Sequence, residues 1–234
     1  MPERFTASAI AANERVKGLA CFALCALTLM SLAGSAGAQT KPRSTGKAAS
    51  APAPANRYAE RFAAVCAACH GANGRSDMPG TPVLAGQHSF YAITQLFLFR
   101  EGRRSNEAMT AVAKTMSDAD LRGFSEFIGT LPPVPAPASA TPPDAARMKK
   151  GHELAQLHKC LFCHGSDLSG GQQVPRIGGQ REDYLRMSLQ EFKSGKRPGY
   201  TMAMTEAVSQ VTPDELDTLA YYAAHFPGAP ASGK

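Results

Sequence analysis

Two short clusters in this sequence combine paired thiols with an imidazole: Cys66-Ala-Ala-Cys69-His70 and Cys160-Leu-Phe-Cys163-His164. Cysteine pairs in an oxidising compartment ordinarily close into disulfides, but the adjoining histidine points to a different use. Cys-x-x-Cys-His is the attachment signal for c-type haem. The thiols add to the two vinyl groups as thioethers, and the short gap sets both sulfurs beside one porphyrin edge. The next side chain then reaches the iron from the proximal face. Cys66, Cys69, Cys160 and Cys163 are therefore expected to hold two covalent haem c groups, with His70 and His164 as proximal ligands. A zinc site built from four thiolates would leave both histidines unexplained and would join pairs a whole repeat apart. A thioredoxin-like redox pair would need a βαβ pattern that neither motif has.

An iron held by one histidine has a sixth position to fill. Candidates after the first motif are Met78, His88, Met109 and Met116; after the second they are Met187, Met202, Met204 and His225. An internal duplication chooses among them. Pro82-Val-Leu-Ala-Gly-Gln87 matches Pro175-Arg-Ile-Gly-Gly-Gln180, and Phe99-Arg-Glu-Gly-Arg-Arg104 matches Phe192-Lys-Ser-Gly-Lys-Arg197. Ser117-Asp-Ala-Asp-Leu121 matches Thr212-Pro-Asp-Glu-Leu216, and all the offsets lie between 93 and 95 positions. Counting back from Ser117 and Thr212, Met109 and Met204 fall at the same place. Met116 pairs with Val211, Met202 with Glu107, and His88 with Arg181. Only Met109 and Met204 supply a ligand in both halves, and both are expected in distal loops. Met116 and Met202 stay open as rivals.

The elements that must position these residues read as helices. Ser117 and Thr212 each precede an acidic residue by three positions (Asp120, Glu215), a capping-box pattern, and Pro213 sits where a missing N–H costs nothing. Apolar residues follow at helical spacing: Leu121, Phe124 and Ile128, then Leu216, Leu219 and Ala223. Further helices are expected over Phe90 to Arg100, over Tyr184 to Lys193, and before each cysteine pair, as over Ala59 to Cys66. No strand-length alternation stands out, so the fold class is all-α.

Around these units lie segments of different character. Arg15 and Lys17 precede an apolar run from Leu19 to Ala33, and Ala36-Gly37-Ala38 offers a small-x-small cleavage site. Residues 1–38 are thus expected to be a secretory signal; an uncleaved anchor is the alternative, for which the run is short. Residues 39–56 form an Ala/Pro-rich tether and 132–143 a Pro-rich linker that cannot be helix interior. The domains follow as 57–131 and 144–228, with a tail at 229–234. The 234-residue chain carries net charge +6 with 7% aromatic residues and no Trp. Such charge suits acidic proteins or an anionic membrane surface. No dense basic run or basic-aromatic interleaving points to nucleic acid. Arg100, Arg103, Arg104, Lys193, Lys196 and Arg197 are expected either to steer an acidic partner or to form solvated helix ends.

The order Cys-x-x-Cys-His-Gly, Pro-x-x-(Ala/Gly)-Gly-Gln, Phe-x-x-Gly-(Arg/Lys)-Arg, Met, and a capped Asp-rich helix resembles the diheme cytochrome c4 family. Each half is similar to the class I, c553-type cytochrome c module, over about residues 57 to 228. The resemblance implies two tandem class I cytochrome c domains, His/Met ligation and periplasmic electron transfer. It also implies that the Pro82 and Pro175 carbonyls accept hydrogen bonds from the proximal rings, fixing their orientation. Met116 departs from the Leu usual in that family. Thioether sulfur favours ferrous iron, and an iron with both axial positions filled by protein suits one-electron exchange; no catalytic residue is expected. The function expected is a respiratory electron carrier serving a terminal oxidase or dehydrogenase. The alternative is the haem-bearing subunit of a periplasmic dehydrogenase of the flavocytochrome c type. A diheme peroxidase or thiosulfate dehydrogenase would need an open iron or a spare cysteine.

Overall fold

The computed structural model describes residues 54–135, 141–197 and 201–227. The expected signal segment and most of the tether lie outside the described residues. Ten helices and one isolated bridge, Gly171 to Val174, make up the regular structure of the described residues. The all-α expectation holds. The first half contains α1 (Pro54–Val65), α2 (Ala67–His70), α3 (Ser89–Arg100), α4 (Glu107–Lys114) and α5 (Asp118–Thr130). The second repeats the order with α6 (Ala145–Leu157), α7 (Cys160–His164), α8 (Glu182–Lys193), α9 (Ala203–Val208) and α10 (Pro213–His225). Helix α1 begins before residue 57, inside the stretch expected to be tether.

Both capping boxes form. Ser117 Oγ accepts from the Asp120 N–H while the Asp120 carboxylate accepts from the Ser117 N–H, and Thr212 and Glu215 do the same at α10. Each box satisfies two backbone donors that the helix start leaves without partners. The helices so started, α5 and α10, cross the first helix of their own half. One core gathers Phe62, Leu96, Met116, Leu121, Phe124 and Ile128; the other gathers Leu154, Leu168, Leu185, Val211, Leu216 and Leu219. Each such side chain, fully buried, contributes about 1.5–3 kcal/mol, which lets two modules with few aromatic residues each hold a core.

Close helix approach is solved with glycine in both crossings, on opposite partners. In the first, Gly123 of α5 lies under the Tyr58 ring of α1, where an added Cβ would sit 1.9 Å from a ring carbon. In the second, Gly151 of α6 lies under Tyr222 of α10, 2.3 Å from its Cβ.

The halves pack against each other through a reciprocal polar contact. Gln87 donates from Nε2 to the Arg176 carbonyl (3.2 Å) and accepts at Oε1 from the Arg176 N–H (3.0 Å). Gln180 repeats this on Val83, at 2.9 and 2.7 Å. His88 reaches the Ser169 carbonyl, and its repeat counterpart Arg181 reaches that of Ser76. The start of the Pro-rich linker lies over the turns that carry the glutamines. Pro133 packs on Gly86 and Pro135 on Gly179, both at φ near +72°, where any Cβ would meet the prolines.

Candidate haem sites

Each Cys-x-x-Cys-His motif forms a single helical turn. The φ-positive Gly71 and Gly165 end these turns at His70 and His164. The four thiols are free; Cys66 and Cys160 are half-buried, whereas Cys69 and Cys163 are exposed. Burial pushes the Cys66 thiol up to about 11 and the Cys160 thiol in the same direction. Among the described residues no three His, Cys, Asp or Glu side chains converge in the manner of a metal cage.

His70 and His164 are buried, and burial depresses the pKa of both imidazoles while the hydrogen bond to a carbonyl opposes it. The neutral ring is favoured. Its Nδ1 lies 3.0 Å from the Pro82 carbonyl in the first half and 3.0 Å from the Pro175 carbonyl in the second. A carbonyl only accepts, so Nδ1 carries the proton and Nε2 keeps its lone pair. That tautomer is the one an iron needs. Free thiols, a lone pair held in a fixed direction and a thioether against the same core fit a covalently bound haem in each half.

Met109 is the third residue of α4, whose start is capped by Asn106 accepting from the Met109 N–H. Met204 is the second residue of α9. The expected distal loops are thus short helices. Asn106 before an Ala-rich run is a cap signal that a sequence reading can find, whereas α9 has no side-chain cap to announce it. Met109 packs on the core that Cys66 touches, and Met204 on the core that Cys160 touches. Met116 is buried within its core, as is Val211 at the equivalent place. Met202 is 55% exposed, and His88 spends its Nε2 on the Ser169 carbonyl.

The basic residues do not behave as a uniform exposed patch. Arg197 is 5% exposed and donates to Ser188 Oγ, Tyr91 Oη and Gln95 Oε1. Arg104 reaches Tyr184 Oη and Gln95 Oε1. Arginine and tyrosine thus pair across the halves in both directions, and each guanidinium also covers a phenylalanine of its own half, Phe99 or Phe192. Among the described residues neither guanidinium has a carboxylate ion partner. Burial alone would raise the Tyr184 hydroxyl, but the charges of Arg104 and Arg197 outweigh it and bring it below the usual phenol range. Arg100 pairs with Asp118 at 2.7 Å, and Lys193 caps the Val208 and Ser209 carbonyls. The glutamine, tyrosine and arginine contacts between halves were not anticipated from sequence. Their signal there is the recurrence of polar residues at equal repeat positions.

A compact helical module with Cys-x-x-Cys-His on one short helix, a methionine on another and a crossed pair of outer helices is that of a cytochrome c. A sequence profile described as cytochrome c matches residues 55–132 and 148–225, and the chain belongs to that family. Cytochrome c4 of Thiocapsa roseopersicina is 32% identical over 169 residues, 68% of this chain and 85% of that protein. The thiosulfate dehydrogenase electron acceptor of Thiomonas intermedia is 31% identical, over 72% of this chain and 81% of its own. The crystal structure of reduced cytochrome c4 from Pseudomonas stutzeri superposes with a TM-score of 0.64 at 28% identity, covering 74% of this chain and 98% of that one. The protein is a diheme electron carrier of the cytochrome c4 type, with two covalent haem c groups. No described helix is long and apolar enough to cross a membrane.

Proposed function

We propose that Cys66, Cys69, Cys160 and Cys163 form the thioether bonds, that His70 with Met109 and His164 with Met204 are the axial pairs, and that the exported chain relays single electrons between periplasmic redox proteins. The observation that carries this reading is the ring–carbonyl bond, found at the same length in both halves. It holds each imidazole in the tautomer and orientation that an axial ligand requires, and it raises ligand basicity. Pro82 and Pro175 are therefore orienting groups. Haem, when bound, supplies reversible one-electron iron chemistry; the protein supplies the fixed ligands and the exclusion of water.

The burial of Met116 beside Leu121 and Phe124 supports a packing role for it, and the exposure of Met202 leaves Met204 as the favoured thioether. Optical spectra of single variants test the assignment. Met109→Ala and Met204→Ala should each remove half of the far-red Met–iron band, whereas Met116→Leu and Met202→Leu should leave it whole. Full intensity in Met109→Ala or Met204→Ala would defeat the choice.

The relatives named thiosulfate dehydrogenase electron acceptor support a donor that oxidises a reduced sulfur compound; the acceptor proposed is a terminal oxidase. Stopped-flow reduction by a thiosulfate dehydrogenase, compared with a flavin-containing dehydrogenase, tests this against the subunit reading. The apolar run before Ala36-Gly37-Ala38 supports export, and a secreted form beginning at Gln39 is the expected product.

A further inference from the structure

The two glutamines of the contact between halves do more than join surfaces. The Pro82–Val83 peptide group offers its C=O to His70 Nδ1–H at 3.0 Å and its N–H to Gln180 Oε1 at 2.7 Å. These are the two ends of one planar, conjugated unit. In the other direction, the Pro175–Arg176 peptide takes the His164 proton at 3.0 Å and gives its N–H to Gln87 Oε1 at 3.0 Å. Each proximal histidine is thus linked, through a single amide, to a side chain that belongs to the opposite half.

The amide orientation of both glutamines is fixed by their surroundings. Gln180 Oε1 receives the N–H groups of Val83 and Arg181 while Nε2 faces the Val83 carbonyl; Gln87 is placed likewise between Arg176, His88 and the Arg176 carbonyl. Turning either amide over would set its NH2 against two donors. Both side chains are buried, so water does not compete for these bonds.

We infer that Gln180 and Gln87 are crossed positioning residues: Gln180 tunes the haem of the first half and Gln87 the haem of the second. An acceptor on the N–H end of an amide polarises the group and makes its oxygen a better acceptor, by about 10–30% per bond in a chain. The stronger oxygen draws on the Nδ1 proton, the ring gains donor strength, and the ferric state is favoured. Each half therefore holds down the potential of its neighbour through the contact that joins them. This inference rests on His70 and His164 being the axial ligands.

The test uses the holoprotein, with the two midpoint potentials followed by spectroelectrochemistry and NMR of the ligand methyl groups. The Met109→Ala and Met204→Ala variants assign each haem, and failure of the histidine reading appears separately, as a His70→Ala or His164→Ala variant whose haem spectrum is unaltered. Gln180→Leu should raise the potential of the first-half haem and Gln87→Leu that of the second, with both Met–iron bands retained. A shift confined to the variant's own half, equal shifts of both haems, or no shift would overturn the inference. Gln180→Glu decides should the leucine variant loosen the contact. It keeps an acceptor opposite the Val83 N–H, protonated or not, so the first-half potential should stay level or fall. A rise in that variant as well would mark simple loosening and end the proposal.

Discussion

The helix crossings of the two halves solve one problem with the same two residue types exchanged. In the first half the large residue, Tyr58, is on the early helix and the glycine on α5; in the second the glycine is on the early helix and Tyr222 on α10. What differs is what the missing Cβ would strike. Gly123 faces the far edge of a ring, whereas Gly151 faces the root of a side chain and, at 3.2 Å, the Thr218 carbonyl. Moving the Tyr58 ring aside costs its hydroxyl bond to the Ala119 carbonyl, whereas a Cβ moves only with its helix. The duplicated halves therefore share a geometry without sharing its tolerance to change.

The largest effect that sharpens this contrast is expected from Gly151→Ala. It should destabilise the second half by about 3 kcal/mol, the upper end for overpacking. Gly123→Ala should cost less, about 2 kcal/mol, because displacing the Tyr58 ring and breaking its bond to the Ala119 carbonyl is partly offset by the roughly 0.5–1 kcal/mol that alanine gains over glycine in a helix. Denaturant melts that follow the Met–iron band of each half check the order, and equal losses would break the contrast.

Next in size are the buried arginines. Arg197→Met removes three side-chain hydrogen bonds from a nearly inaccessible guanidinium, at about 1.5–3 kcal/mol for bonds to a charged group. Arg104→Met removes two from a less buried one and should cost less. Proteolysis rates of the linker provide the readout, with Arg197→Met cleaved faster.

The outer latch differs as well. In the first half Arg61 of α1 pairs with Asp120, which Tyr58 also contacts; in the second His158 lies 3.6 Å from Glu215. Arg61→Met should cost about 1 kcal/mol or less, since the guanidinium is partly exposed. The smallest effect concerns pH. The hydrogen bond from Arg61 holds Asp120 far below the usual carboxylate range, while the Thr212 N–H holds Glu215 below it by less. A depressed native pKa stabilises above the ordinary carboxylate range, and that contribution is lost as pH falls through the native value. Acidification should thus weaken the capped start of α10 before that of α5, and a band that fades in the first half before the second would contradict this.

What could be read from the sequence was local. The Cys-x-x-Cys-His turns and both capping boxes depend on residues within five positions, and α3 and α8 came out within two residues of expectation. The sequence predicts loops where α4 and α9 lie, because eight and six residues are too few for an apolar period to show. Arg104 and Arg197 were expected to face a partner or solvent. Their real partners, Tyr184 and Tyr91, lie 80 and 106 positions away and in the other half. No periodicity encodes such a pairing; only the equal spacing of the repeats hints at it.

The reciprocity of the contact has a last consequence. Gln87 with Gln180, Tyr91 with Tyr184 and Arg104 with Arg197 form what would be an isologous interface had the halves been separate subunits. Fusion into one chain makes that association intramolecular. The pair therefore assembles to the same extent in dilute and in crowded solution, a dimer that dilution cannot part.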